Sequence, residues 1–365
     1  MKSLCFLLTS AEWNGTEHMA LRLLEALPID PEKKSILVIK GEGPLLEQAR
    51  KADIEARALN FRFFLDPFGA HRLERELRRL RPTVLQTFLF RANAWAGLLH
   101  PLFPSTSLFL SERCLDLNRR YAQVLLTRHA ARRAVAVTAV SQAVQTILIH
   151  RERIPEEKIH VIPNGLPNSF FENPPPARSR DDLLPGTSPL IGTICGFRRE
   201  KSLPVLVQAF RRFLDVCPTA GLVLGGDGPE MPAIRSLVQD LRLEDHIRFL
   251  GFVEDVRSVL PSLDLFVLPS REEGFPGVLL EALGMGLPCV ASRIGGNLEI
   301  LTEEYGEFFE PEDVADLTRA ISALWENETK RKRARENGTD YIRKNFPASR
   351  MVEAYWNLYR PYLER

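Results

Sequence analysis

Apolar residues in the first half of the chain fall in short runs, at 4–8, 35–38, 84–87, 107–110, 134–140 and 160–163. Runs of that length with no polar alternation read as strands buried on both faces. Between them, 17–27, 45–51, 73–80 and 142–149 carry apolar residues at helical spacing. Strand and helix alternate in a way that predicts a parallel, doubly wound sheet. Ser141 stands where an N-cap is needed for the helix at 142–149. The second half repeats the pattern. GLVLGGDGPEMPAIRSLV (221–238) reads as a strand, a Gly-rich turn and a helix with Pro229 near its start, and 263–269 is another apolar strand. Between the halves, 167–189 is rich in Pro, Ser and charge and reads as a linker over the surface. The 365 residues suit about two domains. Their expected bounds are 1–168 and 190–346, joined by 169–189. An amphipathic helix at 312–326 and a terminal helix at 345–365 follow, the latter with Tyr355, Trp356 and Tyr359 clustered for packing.

The chemistry concentrates at 263–300. A strand leads into a loop of small and acidic residues at 270–274, a helix over 278–284, a short strand at 287–291 and a Gly-Gly turn at Gly295 and Gly296. In a βαβ unit a ligand sits where the loop leaves the carboxyl end of the strand. Glu273 lies in that loop and Glu281 on the helix. Between them is a helix N-terminus whose free N–H groups, near Val278 and Leu279, suit a phosphate oxygen. A carboxylate accepts hydrogen bonds from a diol, so phosphate flanked by two polyols describes a nucleotide-sugar.

Glu273-x7-Glu281, set in SREEGFPGVLLEAL, resembles the signature of the retaining family-four glycosyltransferases. The resemblance implies the GT-B fold, an α/β architecture of two Rossmann-like doubly wound domains facing across a cleft, with the helix at 347–365 packing back on the first. It implies that Glu273 contacts the hydroxyls of the transferred sugar and Glu281 the nucleotide ribose, with Phe275, Gly277, Val278 and Leu279 around the donor. IGTICGFRREKS (191–202) resembles the family loop Gly-Arg-Leu-x-x-x-Lys, whose cations bind the donor diphosphate. Lys201 matches the lysine, Gly196 stands where the arginine would be, and Arg198 is the candidate for a relocated guanidinium. Cations belong here because the leaving diphosphate gains negative charge. Gly226 and the backbone near Val253 match the loops that enclose the base. Trp13-Asn14-Gly15-Thr16-Glu17 resembles the Gly-Gly-x-Glu loop with Asn14 for the first glycine. Gly15 and Thr16 are thus candidate donor contacts, with a plain strand-to-helix turn as the alternative. The stretch 84–97 keeps Ala92-Asn93 but has Gln86, Phe88 and Arg91 where related sequences often carry histidine. The acceptor pocket is therefore expected to be altered, and no catalytic histidine is assigned. Asn93, Glu112 and Arg113 are acceptor-side candidates, an internal ion pair on the sheet rim being the alternative for the last two.

The resemblance thus implies transfer of a hexosyl or N-acetylhexosaminyl group, from a UDP-sugar for preference, to a glycan or lipid-linked acceptor in cell-surface polysaccharide or glycolipid synthesis. Retention without an enzymic nucleophile implies that the departing phosphate takes the acceptor proton. Two alternatives stand: an epimerase or hydrolase of the same fold, and a non-catalytic nucleotide-sugar binding subunit. No Asp-x-Asp triplet occurs, so neither metal nor cofactor is expected.

Composition narrows the setting. Apolar residues make up 45% and charged ones 26%, as in soluble globular chains. The cysteines at 5, 114, 195, 217 and 289 show no paired spacing, which suits reduced thiols and a cytoplasmic location. No apolar run reaches membrane-spanning length. MKSLCFLLTSA at the start resembles a short signal peptide, but its apolar core of about five residues is below the range for one, so a buried strand is expected. Charge is uneven: residues 1–175 carry 24 Lys/Arg against 18 Asp/Glu. The stretches 71–82 and 118–134 are the most basic. They read as solvated helix faces or as a peripheral contact with the anionic inner face of a membrane. Aromatics are not interleaved with them, which argues against nucleic acid.

Overall fold

The computed structural model describes residues 2–364 of the chain. Two compact units form: the first runs to Asn164 and takes back the chain from Ser349, and the second is Gly165–Ala348. The first is built on seven strands: β1 (Leu4–Ser10), β2 (Lys34–Lys40), β3 (Glu55–Ala58), β4 (Val84–Phe88), β5 (Ser107–Glu112), β6 (Ala136–Ala139) and β7 (Ile159–Val161). They lie in the order β3-β2-β1-β4-β5-β6-β7, every pair parallel. The order reverses between β1 and β4, the switch point of a doubly wound sheet. Six of the seven coincide with the apolar runs. The exception, β3, reads Glu-Ala-Arg-Ala, with Glu55 and Arg57 exposed as befits an edge strand. Ser141 caps its helix, accepting from the Val144 amide at 3.2 Å.

The terminal helix Ala348–Leu363 buries Met351, Tyr355 and Tyr359 in the core of the first unit. Tyr359 donates to Gln86 Oε1 at 2.7 Å, and the Tyr355 hydroxyl pairs with Thr138 Oγ1 at 3.2 Å. Gln86 and Phe88 are fully buried, so both are core residues rather than a pocket lining.

The second unit holds β8 (Leu190–Ile194), β9 (Gly221–Gly225), β10 (Ile247–Gly251), β11 (Leu265–Leu268), β12 (Cys289–Ser292) and β13 (Gly306–Phe309), in the order β10-β9-β8-β11-β12-β13 and again all parallel. Its switch point falls between β8 and β11. The stretch 169–189, expected as a linker, is bound to this unit instead. The Arg178 amide donates to the Ser258 carbonyl at 2.8 Å, and Arg180 grips Asp264 at 2.7 and 3.1 Å. Asp264 also accepts from the Leu190 amide at 2.8 Å. Gly295 and Gly296 begin a helix, Gly295–Ile300, rather than closing a turn. Pro229 precedes its helix, which is Met231–Asp240 with Pro232 in the first turn.

Among the described residues no helix is long and apolar enough to cross a membrane. Several arginines of the two basic stretches are engaged internally: Arg78 with Glu74, Arg79 with Glu55 and Glu76, Arg119 with Glu112, and Arg128 with the carbonyls of Arg151 and Glu152.

Candidate functional site

In the second unit, the loops leaving β8 and β11 meet at the switch point. The Arg271 amide donates to the Glu200 carbonyl at 2.9 Å, which ties the two loops together by backbone. Lys201 Nζ then reaches Glu273 Oε1 at 2.6 Å, and Ser270 Oγ donates to the same oxygen at 2.7 Å. Oε2 of Glu273 has no hydrogen-bond partner among the described residues. Burial works against the Lys201 ammonium, but the adjoining Glu273 carboxylate outweighs it and raises the lysine pKa. The two side chains lie 2.6 Å apart in a largely buried position. The Cys195 thiol nearby is pushed up to about 11, chiefly by burial.

The Glu273 loop rests on a buried polar support that has no motif in the sequence. Asn297 Nδ2 donates to Ser292 O and Oγ at 3.0 Å each, and Ser292 Oγ donates to the Ser270 carbonyl. The helix carrying Asn297 approaches so closely that a Cβ on Gly296 would lie 2.2 Å from the Gly274 oxygen. Only glycine fits there. Its amide faces the Glu273 carbonyl at 3.3 Å.

The helix Gly277–Gly284 starts at Pro276 with no side-chain cap. Leu279 is not a free donor, because its amide turns back to the Pro276 carbonyl at 3.2 Å. Gly277 and Val278 keep amides with no acceptor inside the helix, and the space in front of Gly277 is open. Phe275 is buried edge-on against Phe346, 5.6 Å between centroids, so its ring is packed into the base of the loop. Glu281 sits half-exposed on this helix within the field of Arg257. Arg257 itself is held by Asp255 and by the carbonyls of Ser169, Phe170 and Glu172.

The loops after β8, β9 and β10 are stitched together at the same end of the sheet. The Cys195 amide donates to the Gly225 carbonyl at 2.9 Å, that of Phe197 to Asp227 at 2.8 Å, and that of Gly226 to Gly251 at 2.7 Å. Gly226 has φ +126°, and a Cβ there would lie 1.9 Å from the Cys195 oxygen, which no other residue could allow. Val253 is buried against Gly225. Arg198 is exposed and folds back beside Gly196, its Nε 3.8 Å from where a Cβ of that glycine would be. A guanidinium therefore does stand next to the position that lacks one.

In the first unit, Gly15 opens the helix Gly15–Ala26 with empty space beside it, and Thr16 is half-buried. Glu17 is buried and accepts from Ser10 Oγ at 3.1 Å. Of the three acceptor-side candidates, Asn93 turns inward, and Glu112 and Arg113 follow the internal alternative, each with another partner in place of the other. Asn93 is fully buried, accepting from Thr87 at 2.5 Å and donating to Glu112 at 2.9 Å and the Ser111 carbonyl at 3.2 Å. Glu112 is buried against Arg119 at 3.0 Å, inside a network that also holds Asp116 and Glu152. Arg113 is buried too and donates to Asn164 Oδ1, and burial pulls its pKa down. All three hold the rim of the sheet together from within. Among the described residues no group of three or more His, Cys, Asp or Glu could hold a metal ion.

Comparison with known proteins bears on this arrangement. The profile of the glycosyl transferases group 1 matches residues 177–341, and that of glycosyltransferase family 4 matches 13–169. The N-acetyl-alpha-D-glucosaminyl L-malate synthase of Bacillus anthracis is 28% identical over 236 residues, 64% of this chain and 61% of that protein. The UDP-Gal:alpha-D-GlcNAc-diphosphoundecaprenol alpha-1,3-galactosyltransferase of Escherichia coli is 31% identical over 176 residues, 46% of this chain and 44% of that protein. The match thus spans less than two thirds of these curated relatives. Among solved structures, Anabaena HepE in complex with UDP-glucose superposes with a TM-score of 0.87 at 18% identity, over 99% of this chain and 100% of that one. The sucrose-phosphate synthase of Thermosynechococcus elongatus gives 0.83 at 19% identity, over 99% of both chains. At those identities the likeness shows the fold, two Rossmann-like units of the GT-B class. With the two profiles falling on the two units in turn, the chain belongs to the family-four, group 1 glycosyltransferases.

Proposed function

We propose that the chain is a retaining glycosyltransferase that moves a sugar from a nucleoside diphosphate sugar to an acceptor hydroxyl. The observation that carries this is the Lys201–Glu273 pair at the switch point of the second unit, beside the uncapped helix start at Gly277 and Val278. A cation and two free amides are suited to a diphosphate. A carboxylate with one unengaged oxygen is suited to sugar hydroxyls, and Glu281 a helical turn beyond to the ribose. HepE is described with UDP-glucose, which supports a UDP-sugar as donor. The Escherichia coli relative acts on a diphosphoundecaprenol-linked sugar, which supports a lipid-linked or glycan acceptor and a peripheral contact with a membrane.

In this reading Lys201, Arg198 and the helix start stabilise the charge that develops on the leaving diphosphate. Glu273 orients the sugar through its hydroxyls, and the departing phosphate removes the acceptor proton. Those charges come from the protein, so transfer is expected to persist in excess EDTA. The deciding experiment offers a panel of UDP-, GDP- and ADP-sugars with a polyprenyl-diphosphate-sugar acceptor, and products are read by mass and anomeric configuration. A retained glycosidic product from wild type, lost in Glu273→Gln, is the expected result. Free sugar alone would favour a hydrolase, and nucleotide binding without turnover would favour a binding subunit.

A further inference from the structure

Where β3, β4 and β5 end, the first unit displays large apolar side chains that its core does not cover. Phe63, Leu65 and Phe68 are 56%, 66% and 74% exposed, and Leu117 and Tyr121 are 52% and 73% exposed. Chain neighbours of the two groups are in contact. Phe64 stacks on Phe90 at 5.6 Å, Arg91 lies over the Phe64 ring, and Arg119, two residues before Tyr121, lies over Phe90. The display is built rather than frayed. Trp95 Nε1 holds the Phe64 carbonyl at 3.0 Å, and the Asp66 carboxylate accepts the amides of Arg62 and Phe68 at 2.9 and 3.0 Å. Singly exposed apolar residues are ordinary on a soluble protein, but a contiguous set marks a contact surface.

Charge identifies the partner. From 61 to 133 the chain has thirteen arginines, no lysine and five carboxylates. Each of those carboxylates is already paired with an arginine: Asp66 with Arg72, Glu74 with Arg78, Glu76 with Arg79, and Glu112 and Asp116 with Arg119. Arg62, Arg75 and Arg120 are exposed and pair with no carboxylate among the described residues. An apolar rim set in uncompensated arginine is complementary to a surface that is anionic at its headgroups and apolar beneath.

We propose that this edge of the first unit docks on an anionic phospholipid surface. Phe63, Leu65, Phe68 and Tyr121 enter the headgroup boundary while Arg62 and Arg120 meet lipid phosphates. The inference deepens the lipid-linked acceptor reading above and rests on it only for its purpose: a docked bilayer brings an anchored acceptor to the carboxyl ends of these strands.

The test is co-sedimentation of the full chain with phosphatidylcholine vesicles, with and without phosphatidylglycerol, over a salt series, alongside UDP calorimetry. Wild type should pellet only with the anionic vesicles, and less so as salt rises. Phe63→Ser/Leu65→Ser/Phe68→Ser should weaken this at least about tenfold, the loss expected on removing three apolar anchors, with UDP affinity unchanged. A separate Phe68→Trp variant, a change the fold tolerates at so exposed a site, should add fluorescence that brominated lipids quench. Wild-type sedimentation by the triple variant, indifference to anionic lipid, or added fluorescence that brominated lipids leave unquenched would overturn the proposal. So would light scattering that shows the edge joining two copies of the chain without vesicle binding. A chain that docks through this edge yet binds no UDP would leave the inference standing and remove the transferase reading.

Discussion

At the scale of single residues, the charge pair at the centre of the second unit is already assembled in the free protein. Lys201 and Glu273 neutralise one another at 2.6 Å, so a diphosphate must compete for the lysine with a carboxylate that stays in place. The two glutamates should then separate in kinetics. A contact that strengthens in the transition state shows in kcat, whereas uniform binding shows in KM. Glu273→Gln is expected to lower kcat at least about tenfold, with UDP affinity nearly intact. Glu281→Gln should instead weaken both donor and UDP binding by about 1–3 kcal/mol. The reverse pattern would exchange their roles. The pair also fixes a pH expectation. Glu273 holds the Lys201 pKa above its ordinary 10.5, so the ammonium persists through neutral and mildly alkaline pH and is lost only as pH rises past that value. UDP affinity measured between pH 7 and 9 should therefore show no titration from this lysine, and a step in that range would contradict the assignment. Lys201→Ala should cost about 1.5–3 kcal/mol of UDP affinity, as for a charge-assisted contact. These residues could be read from the sequence because a loop glutamate, Gly-Phe-Pro and a helix glutamate occur together. That lysine and glutamate bond each other could not. Nor could the inward turn of Asn93, Glu112 and Arg113, since a polar residue at a strand end reads alike whether it faces a ligand or a neighbouring arginine.

At the scale of elements, the alternation of apolar runs and amphipathic helices gave both sheets, because parallel strands buried on both faces leave an unbroken apolar signature. What escaped were elements whose sequence is not predominantly apolar. The edge strand β3 is half charged, and the 169–189 stretch looks like a linker by composition yet is fastened by polar groups and by the buried side chains of Phe170, Leu183 and Leu184. Asp264 is the anchor of that stretch. Burial penalises its carboxylate, but Arg180 and the Leu190 amide outweigh this and hold its pKa below the ordinary 3.8. A depressed carboxylate contributes stability that is present above its unfolded value and lost as pH falls through the folded one. Asp264→Ala should therefore destabilise the second unit by about 1–3 kcal/mol at neutral pH, as for a removed partner of buried donors. The gap between variant and wild type should close as pH drops below the ordinary carboxylate range. Denaturant titrations of the two proteins at pH 7 and near pH 3 would show it, and a gap that widens in acid would count against the anchor role.

At the scale of the whole molecule, the chain enters its second unit at Gly165 and leaves it at Ala348, so the first unit is completed only by the last residues of the sequence. The aromatic cluster on the terminal helix was legible as packing from its helical spacing. What it packs on was implied by family resemblance alone, since no local pattern can name a partner so far away along the chain. The contacts make the dependence physical. Tyr359 is fully buried, its ring edge-on to Phe109 at 5.2 Å and its hydroxyl on Gln86, and Tyr355 is bonded to Thr138. Replacing either tyrosine with alanine empties a core site and strands a buried polar partner in β4 or β6. The cost should be about 3–5 kcal/mol for each large-to-small change. That loss belongs to the first unit, because none of these contacts involves Gly165–Ala348. Tyr359→Ala is therefore expected to raise amide hydrogen exchange across β1, β4 and β5 while peptides from β8, β9 and β11 keep their wild-type protection. UDP affinity should persist, and transfer to an acceptor should fall. Tyr359→Phe, which keeps the ring and removes only the hydroxyl on Gln86, should cost about 1–3 kcal/mol and retain most of the transfer. Equal loss of protection in both units would mean that they unfold as one cooperative body and that the terminal helix serves the whole chain.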